Sequence, residues 1–203
     1  MNINGTLVLI SLLTLWLAAP CSADGRISLG ASLISPNGRY SVHLEELGGV
    51  TYFVIKDTVT ERLDHSIVMP TALLYLHWAT DSKSFVTVEH IAKGSYGRVV
   101  YLDGDKWKNV EVRPPYDGMM DATVINLRLG MNSVYYKFAV RTLTPHWEPI
   151  DYRFCDVDVS LKTAKMFHVR WTPVAQEEWA TSLWPRKPVY LPPMTDEIIR
   201  DER

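Results

Sequence analysis

From Ile27 to about Trp171 the chain runs in short stretches rich in Val, Tyr, Phe, Thr and Ile, broken every 8 to 12 residues by Gly, Pro, Asp or Asn. β-Branched and aromatic residues favour a pleated, half-buried backbone, and breakers at that spacing leave no room for long helices. An all-β domain over residues 24–171 is therefore predicted. Turns are expected at Pro36-Asn37-Gly38, Gly48-Gly49, Asp103-Gly104-Asp105, Asp117-Gly118 and Met131-Asn132, where Gly and Asn tolerate the positive φ of tight hairpins. Nothing before residue 172 has helical spacing long enough for a crossover, so antiparallel hairpins are expected and a parallel sheet is not. Period-two alternation at Thr123, Ile125, Leu127 and Leu129, and at Lys165, Phe167, Val169 and Trp171, predicts two strands with one packed face each.

After Trp171 the pattern changes. Thr172 is read as an N-cap and Pro173 as the first helical residue, with Trp179 and Leu183 four apart on one face and Pro185 as the stop. Residues 172–203 are thus a short helix followed by a Pro-rich extended tail, Pro185 to Pro193, read as a strap over the domain with a Pro-rich ligand for a partner as the alternative, and a charged end from Thr195 to Arg203.

Leu7 to Ala19 forms an apolar run of 13 residues ending in small residues and Pro20, followed by Cys21-Ser22-Ala23. That is a secretory signal pattern, short of the roughly 20 residues a membrane span needs. Residues 1–23 are read as a signal peptide and the mature chain as starting at Asp24. Acylation at Cys21, as in a lipoprotein, is the alternative, although Pro20 replaces the small residue such a site wants. The chain carries 21 basic and 23 acidic side chains, a balance that argues against a nucleic-acid partner. With Cys21 removed, Cys155 has no disulfide partner; alternation places it with Val157, Val159 and Leu161 on a buried face, opposite Phe154, Asp156, Asp158 and Ser160 on a face read as solvated.

The chain also repeats itself. Ile34-Ser35-Pro36-Asn37-Gly38-Arg39 returns in altered form as Trp78-Ala79-Thr80-Asp81-Ser82-Lys83, 44 residues on, and Tyr52 to Asp57 returns as Arg98 to Asp103 at a spacing of 46. A spacing near 40 to 45 residues is that of a four-stranded propeller blade. The turn at 34–39, two strands, and then "VIKDTVTERL" or "VVYLDGDKWKNV" resemble the blade repeat of TolB-like β-propellers. In that family a Trp-Ser-Pro-Asp-Gly-Lys turn precedes a strand, and a later strand ends in an Asp-containing turn. The likeness covers residues 30–112, and more faintly 121–171, where a third copy ends in "CDVDVSLKTAKMF". The resemblance implies four-stranded antiparallel blades and a platform for protein contact. Closed propellers have four to eight blades. Three blades mean either a ring completed by a partner or an oligomer, or else the meanders of a β-sandwich or barrel.

Residues that could carry chemistry are scattered. The histidines at 43, 65, 77, 90, 146 and 168 form no zinc spacing; His77 and His90 are the pair that folding could bring together. Asp151, Asp156 and Asp158 with His146 and Glu148 form the densest acidic patch, but Asp156 to Ser160 lacks the Gly and the terminal Glu of a calcium loop. No nucleophile elbow, Walker loop or dinucleotide motif occurs, so no catalytic residue, metal or cofactor is assigned. Tryptophans outside the signal stand at 78, 107, 147, 171, 179 and 184. Of these, Trp147 lies in Thr144-Pro145-His146-Trp147-Glu148-Pro149, a stiffened loop where an aromatic is hard to explain as core. His146, Trp147 and Glu148 are the candidate binding residues. The functional expectation is an exported, periplasmic or extracellular, non-enzymatic binding or scaffold protein with a protein partner. The alternatives are an enzyme or enzyme remnant acting on an envelope polymer, and an inhibitor or immunity-type protein.

Overall fold

The computed structural model describes residues 24–27, 32–69, 74–91, 94–183 and 189–190, with side chains over 32–64, 75–91 and 94–183. The signal segment 1–23, Trp184, most of the Pro-rich stretch and the charged end lie outside the described residues.

Strands follow one another as hairpins, in chain order β1 (Asp24–Ile27), β2 (Ser32–Ile34), β3 (Tyr40–Leu47), β4 (Val50–Asp57), β5 (Leu63–Met69), β6 (Leu74–Trp78), β7 (Ser84–Ile91), β8 (Gly94–Asp103) and β9 (Lys106–Val112). They continue as β10 (Met120–Leu129), β11 (Ser133–Leu143), β12 (Pro149–Ser160) and β13 (Met166–Pro173), then helix α1 (Gln176–Ser182) and β14 (Val189–Tyr190). The result is three four-stranded antiparallel meanders, β2–β5, β6–β9 and β10–β13, none closed into a barrel. β1 adds antiparallel to β6, and β14 adds to β10 in parallel, Asn126 opposite Val189 and Leu127 opposite Tyr190. That parallel pair departs from the antiparallel expectation.

The second meander is buried on both faces. One face sets Leu76, Trp78, Phe85, Val100 and Trp107 against Tyr40, Val42, Leu44, Phe53 and Ile55 of the first. The other sets Val86, Val88, Val99 and Val112 against Val124, Leu127, Tyr136, Phe138, Cys155 and Val157 of the third. Each such side chain taken from water is worth about 1.5–3 kcal/mol, so the two interfaces together fix the stack. A strand buried on both sides loses its polar alternation, and β7 reads Phe85-Val86-Thr87-Val88-Glu89 with every residue buried. Glu89 is tolerated there because Arg98 grips it twice, Nε to Oε1 at 2.6 Å and Nη2 to Oε2 at 3.1 Å, while the Thr87 hydroxyl donates at 3.0 Å.

The repeated turns are structurally equivalent. Ser35 N–H donates to Tyr40 O and Gly38 N–H to Ser35 O; 44 residues on, Ala79 N–H donates to Ser84 O and Ser82 N–H to Ala79 O. Asn37 Oδ1 accepts from Arg39 N–H at 3.0 Å, and Asp81 Oδ1 from Lys83 N–H at 2.9 Å. Ser82 replaces Gly38 at φ +56° and uses its hydroxyl to accept from Asn37 N–H at 3.0 Å, tying one turn to the other. The third meander repeats a different turn. Asp57 Oδ1 accepts from Val59 and Thr60 N–H while Asp57 N–H reaches Arg62 O, and Ser160 Oγ accepts from Lys162 and Thr163 N–H while Ser160 N–H reaches Lys165 O. Donation by the Thr60 N–H, joined by that of Val59 and by Arg39, outweighs burial and holds the Asp57 carboxyl below its ordinary range.

Four expectations are corrected. β13 runs on through Thr172 and Pro173, which pair with Phe154 and Arg153, so neither starts a helix; α1 begins at Gln176 after Ala175, which makes no side-chain cap. Sheet pairing outbids the cap, and Glu177 and Glu178 in the first turn supply the dipole complement instead. The alternation in β10 is broken by a bulge between Val124 and Asn126, so the buried pair is Val124 and Leu127 rather than the run from Thr123 to Leu129. β13 has no well-packed face: of its residues only Trp171 is half-buried. Finally, the face opposite Cys155 is not solvated at Phe154 and Asp156, both buried. The Tyr135 hydroxyl donates to Asp156 at 2.5 Å and Arg170 donates to it at 2.9 and 3.1 Å.

Gly97 faces the Tyr136 ring, whose nearest atom would lie 2.4 Å from an added Cβ. Gly97→Ala is therefore expected to cost about 1–3 kcal/mol by urea unfolding, an overpacking loss, and Tyr136→Phe about 0.5–1.5 kcal/mol. Cys155 gives a second check, since burial, then the Asp156 charge, pushes its thiol up to about 12. Thiol reagents should label the folded chain slowly at neutral pH. The raised value also fixes the sign of its pH effect. The unfolded thiol ionises near 8.5, so this contribution to stability is complete below that pH and declines as pH rises toward 12.

Candidate functional site

The β11–β12 loop is built around Thr144. Thr144 N–H donates to Glu148 O at 2.8 Å, Trp147 N–H donates to Thr144 O at 2.9 Å, and Thr144 Oγ1 accepts from His146 and Glu148 N–H at 3.3 and 3.1 Å. These bonds hold Trp147 at φ +66°, in the left-handed region that costs an L-residue roughly 1–2 kcal/mol. Its side chain is 53% exposed.

Trp147 forms one wall of a cleft of about 410 Å³ on the outer side of the third meander. Trp179 and Leu183 of the helical segment form another wall, and Asp121, Thr123, Arg141 and Leu143 line the rest. The Trp179 ring packs at 5.1 Å against Tyr152 and lies 5.4 Å under the Arg141 guanidinium, which is ion-paired with Asp121. Arg141 Nε and Trp179 Nε1 are both buried and make no hydrogen bond in the structure. The arrangement presents flat apolar surface beside a fixed dipolar pair, the chemistry that receives an amphipathic side chain or segment.

Of the three candidate residues, Trp147 lines this cleft. His146 and Glu148 stand exposed on the loop and act in it through their backbone N–H groups. Sequence reading missed Asp121, Arg141 and Thr144. The one legible signal was Trp179, placed on a helix face with Leu183. The acidic patch does not converge on one point. Asp151 binds Arg153 and the Thr142 hydroxyl, which outweigh burial and keep its carboxyl below the ordinary range, while Asp156 is held by Tyr135 and Arg170. Among the described residues no three His, Cys, Asp or Glu side chains are placed to hold a metal ion. His90 packs edge-on against Tyr75 at 5.7 Å, two residues along β6 from His77.

No protein-family model matches the chain, and no curated protein matches it. Solved structures similar to it include TolB from Acinetobacter baumannii, 14% identical over 71% of this chain and 46% of that one, with a TM-score of 0.33. Another is Kuenenia stuttgartiensis hydrazine synthase, 14% identical over 70% of this chain and 41% of that one, also at 0.33. The chain spans less than half the length of either.

The geometry separates the two tryptophans energetically. In Trp147→Gly, relief of the left-handed backbone offsets the contacts of a half-exposed ring, and the stability change should stay within about 1 kcal/mol. Trp179→Ala empties the space between Tyr152 and Arg141 and should cost about 2 kcal/mol or more. Urea unfolding of both variants measures the contrast.

Proposed function

We propose that this is an exported, non-enzymatic binding protein that holds a protein partner through the cleft walled by Trp147 and Trp179. The observation that carries the reading is Trp147 itself. A bulky aromatic is kept half in solvent at a backbone angle that glycine would adopt without cost, locked there by Thr144 and set beside a second tryptophan and an Arg–Asp pair. Exposed, preorganised aromatics beside arginine are the side chains that dominate protein interfaces, and a stiff loop loses less entropy on binding. Export is supported by the apolar run from Leu7 to Ala19 and the Cys21-Ser22-Ala23 end that follows. Among the described residues no helix is long and apolar enough to cross a membrane.

Two measurements test this reading. Affinity capture from the exported fraction with the full chain should identify a partner whose recovery Trp147→Ala weakens by about 2 kcal/mol, while the variant still folds. Val59→Ala, an exposed change on the first meander, should leave capture intact. A Trp147→Ala variant that captures as the wild type does removes the cleft from the function. N-terminal sequencing of the exported chain should begin at Asp24, and recovery of an uncleaved or Cys21-acylated chain contradicts the processing site.

A further inference from the structure

The cleft walled by Trp147 and Trp179 holds two hydrogen-bond donors that the fold itself leaves unused. Three arginines elsewhere show how a guanidinium here meets a carboxylate. Arg98 on Glu89, Arg153 on Asp151 and Arg170 on Asp156 each donate from Nε and Nη2 together. Arg141 gives only Nη2 to Asp121, and its Nε is buried with no partner. Trp179 Nε1, in the ring on which that guanidinium lies, is buried and unpaired as well. A buried donor without an acceptor is costly, so two of them lining one cleft point to an acceptor supplied from outside.

The lining decides what kind of acceptor. Asp121 already balances the charge of Arg141, so a carboxylate entering beside them would add a negative charge with nothing to offset it. A neutral carbonyl satisfies both donors without that cost. Sugar hydroxyls fit less well, because each brings a donor of its own, and the lining side chains offer acceptors only at Thr123 and at the ion-paired Asp121. The rest of the lining is apolar, with Leu143 and Leu183 beside the two tryptophans. A proline residue answers this description. It carries a carbonyl but no N–H, and in the polyproline II conformation, which makes no internal hydrogen bonds, that carbonyl stays available while the rings recur every third residue.

We propose, on the reading that this cleft is the partner site, that its occupant is an uncharged, proline-rich segment of the partner in the polyproline II conformation. Its rings lie against Trp147 and Trp179, and its carbonyls accept from Trp179 Nε1 and Arg141 Nε. Aromatic-lined grooves take such segments because the ligand is extended before it binds and has little entropy to lose. Helix α1 buries none of its residues, and seven residues have little helical stability of their own. A small tilt of the Trp179 ring, enough to bring both N–H groups to the ligand, therefore disturbs no buried side chain of α1.

The test uses the full chain and three probes: a short blocked peptide of proline and leucine, the same peptide with every proline replaced by glycine, and chitotriose. The proline peptide should move the Trp179 indole N–H resonance downfield, as a new hydrogen bond does, and should bind about tenfold tighter than the glycine peptide. Its affinity should change by less than about twofold between low and high salt, since the acceptor is neutral. Trp179→Phe keeps a ring in place and removes the N–H, so the chain should still fold and the proline peptide should weaken about fivefold. Val59→Ala should bind as the wild type does. Equal binding of the two peptides, an unmoved Trp179 resonance, or tighter binding of chitotriose overturns the proposal, the last by assigning the cleft to a glycan. So does a rise in peptide affinity when Pro185 and Pro188 are both replaced by alanine, which would make the chain's own tail the occupant. If the proline peptide fails while Trp147→Ala still weakens partner capture, the class of segment is overturned and the cleft remains the partner site; capture unchanged by Trp147→Ala removes the cleft itself.

Discussion

Tyr136 is the side chain on which the arrangement of the sheets turns. It stands on β11, has no exposure, and crosses to the second meander, where its hydroxyl lies 3.1 Å from Arg98 O and 3.3 Å from Thr87 O. Apolar packing alone is non-directional and would let two sheets slide over one another. A hydroxyl directed at backbone carbonyls on β7 and β8 is directional, and its ring fits only because Gly97 has no side chain. The same stretch of β8 completes the joint. Ser95 Oγ accepts from Val124 N–H at 2.8 Å, and Gly94 lies so close to Ala122 O that a Cβ there would sit 2.1 Å away. The Val124 N–H is thus committed across the interface, at the point where β10 bulges out of register with β11. One strip, Gly94-Ser95-Tyr96-Gly97, docks the third meander onto the second.

Much of the fold could be read from the chain because its turns are local. Asn37 and Asp81 each bind an N–H two residues on, and Asp57 binds those two and three residues on. Such bonds depend on neighbours in sequence, so the residue types announce them. The equivalence of Ser160 to Asp57 was harder to see, since a hydroxyl does there what a carboxylate does in the first meander. The bulge in β10 was not legible, because the hydroxyl that takes up the Val124 N–H beside it, Ser95, is 29 residues away. The helix start was misread for a related reason. Thr172 and Pro173 have good capping chemistry, but the ladder to Phe154 and Arg153 claims them, and pairing partners nearly twenty residues upstream are not a local property.

The cleft shows the same division. Trp147 was legible as an aromatic between two prolines, and Trp179 as a helix residue, but nothing in sequence joins them to Asp121 and Arg141. These meet only because β10 and β11 pair with Asp121 opposite Arg141, and because α1 returns over the outer face of β11 and β12. That return has a second consequence. The outer face of the third meander, where another sheet could stack in a propeller, is partly covered by Trp179 lying against Tyr152. The stack therefore has a covered end as well as a docked middle.

Among the described residues four other than glycine take positive φ, namely Glu61, Ser82, Trp147 and Ala164, and each lies in a hairpin loop. At three of them the side chain is small or polar and exposed, or serves the turn, as Ser82 does by binding Asn37. The left-handed angle at those sites is the cost of closing the loop, kept modest by the residue chosen. Trp147 does not fit that account. It carries the largest side chain of the four, and the bonds that hold the angle run through the backbone and Thr144. A loop that needed only to turn would be served better by glycine or asparagine at this position. The strain is thus attached to the direction in which the indole points, and that direction is into the cleft shared with Trp179 and Arg141.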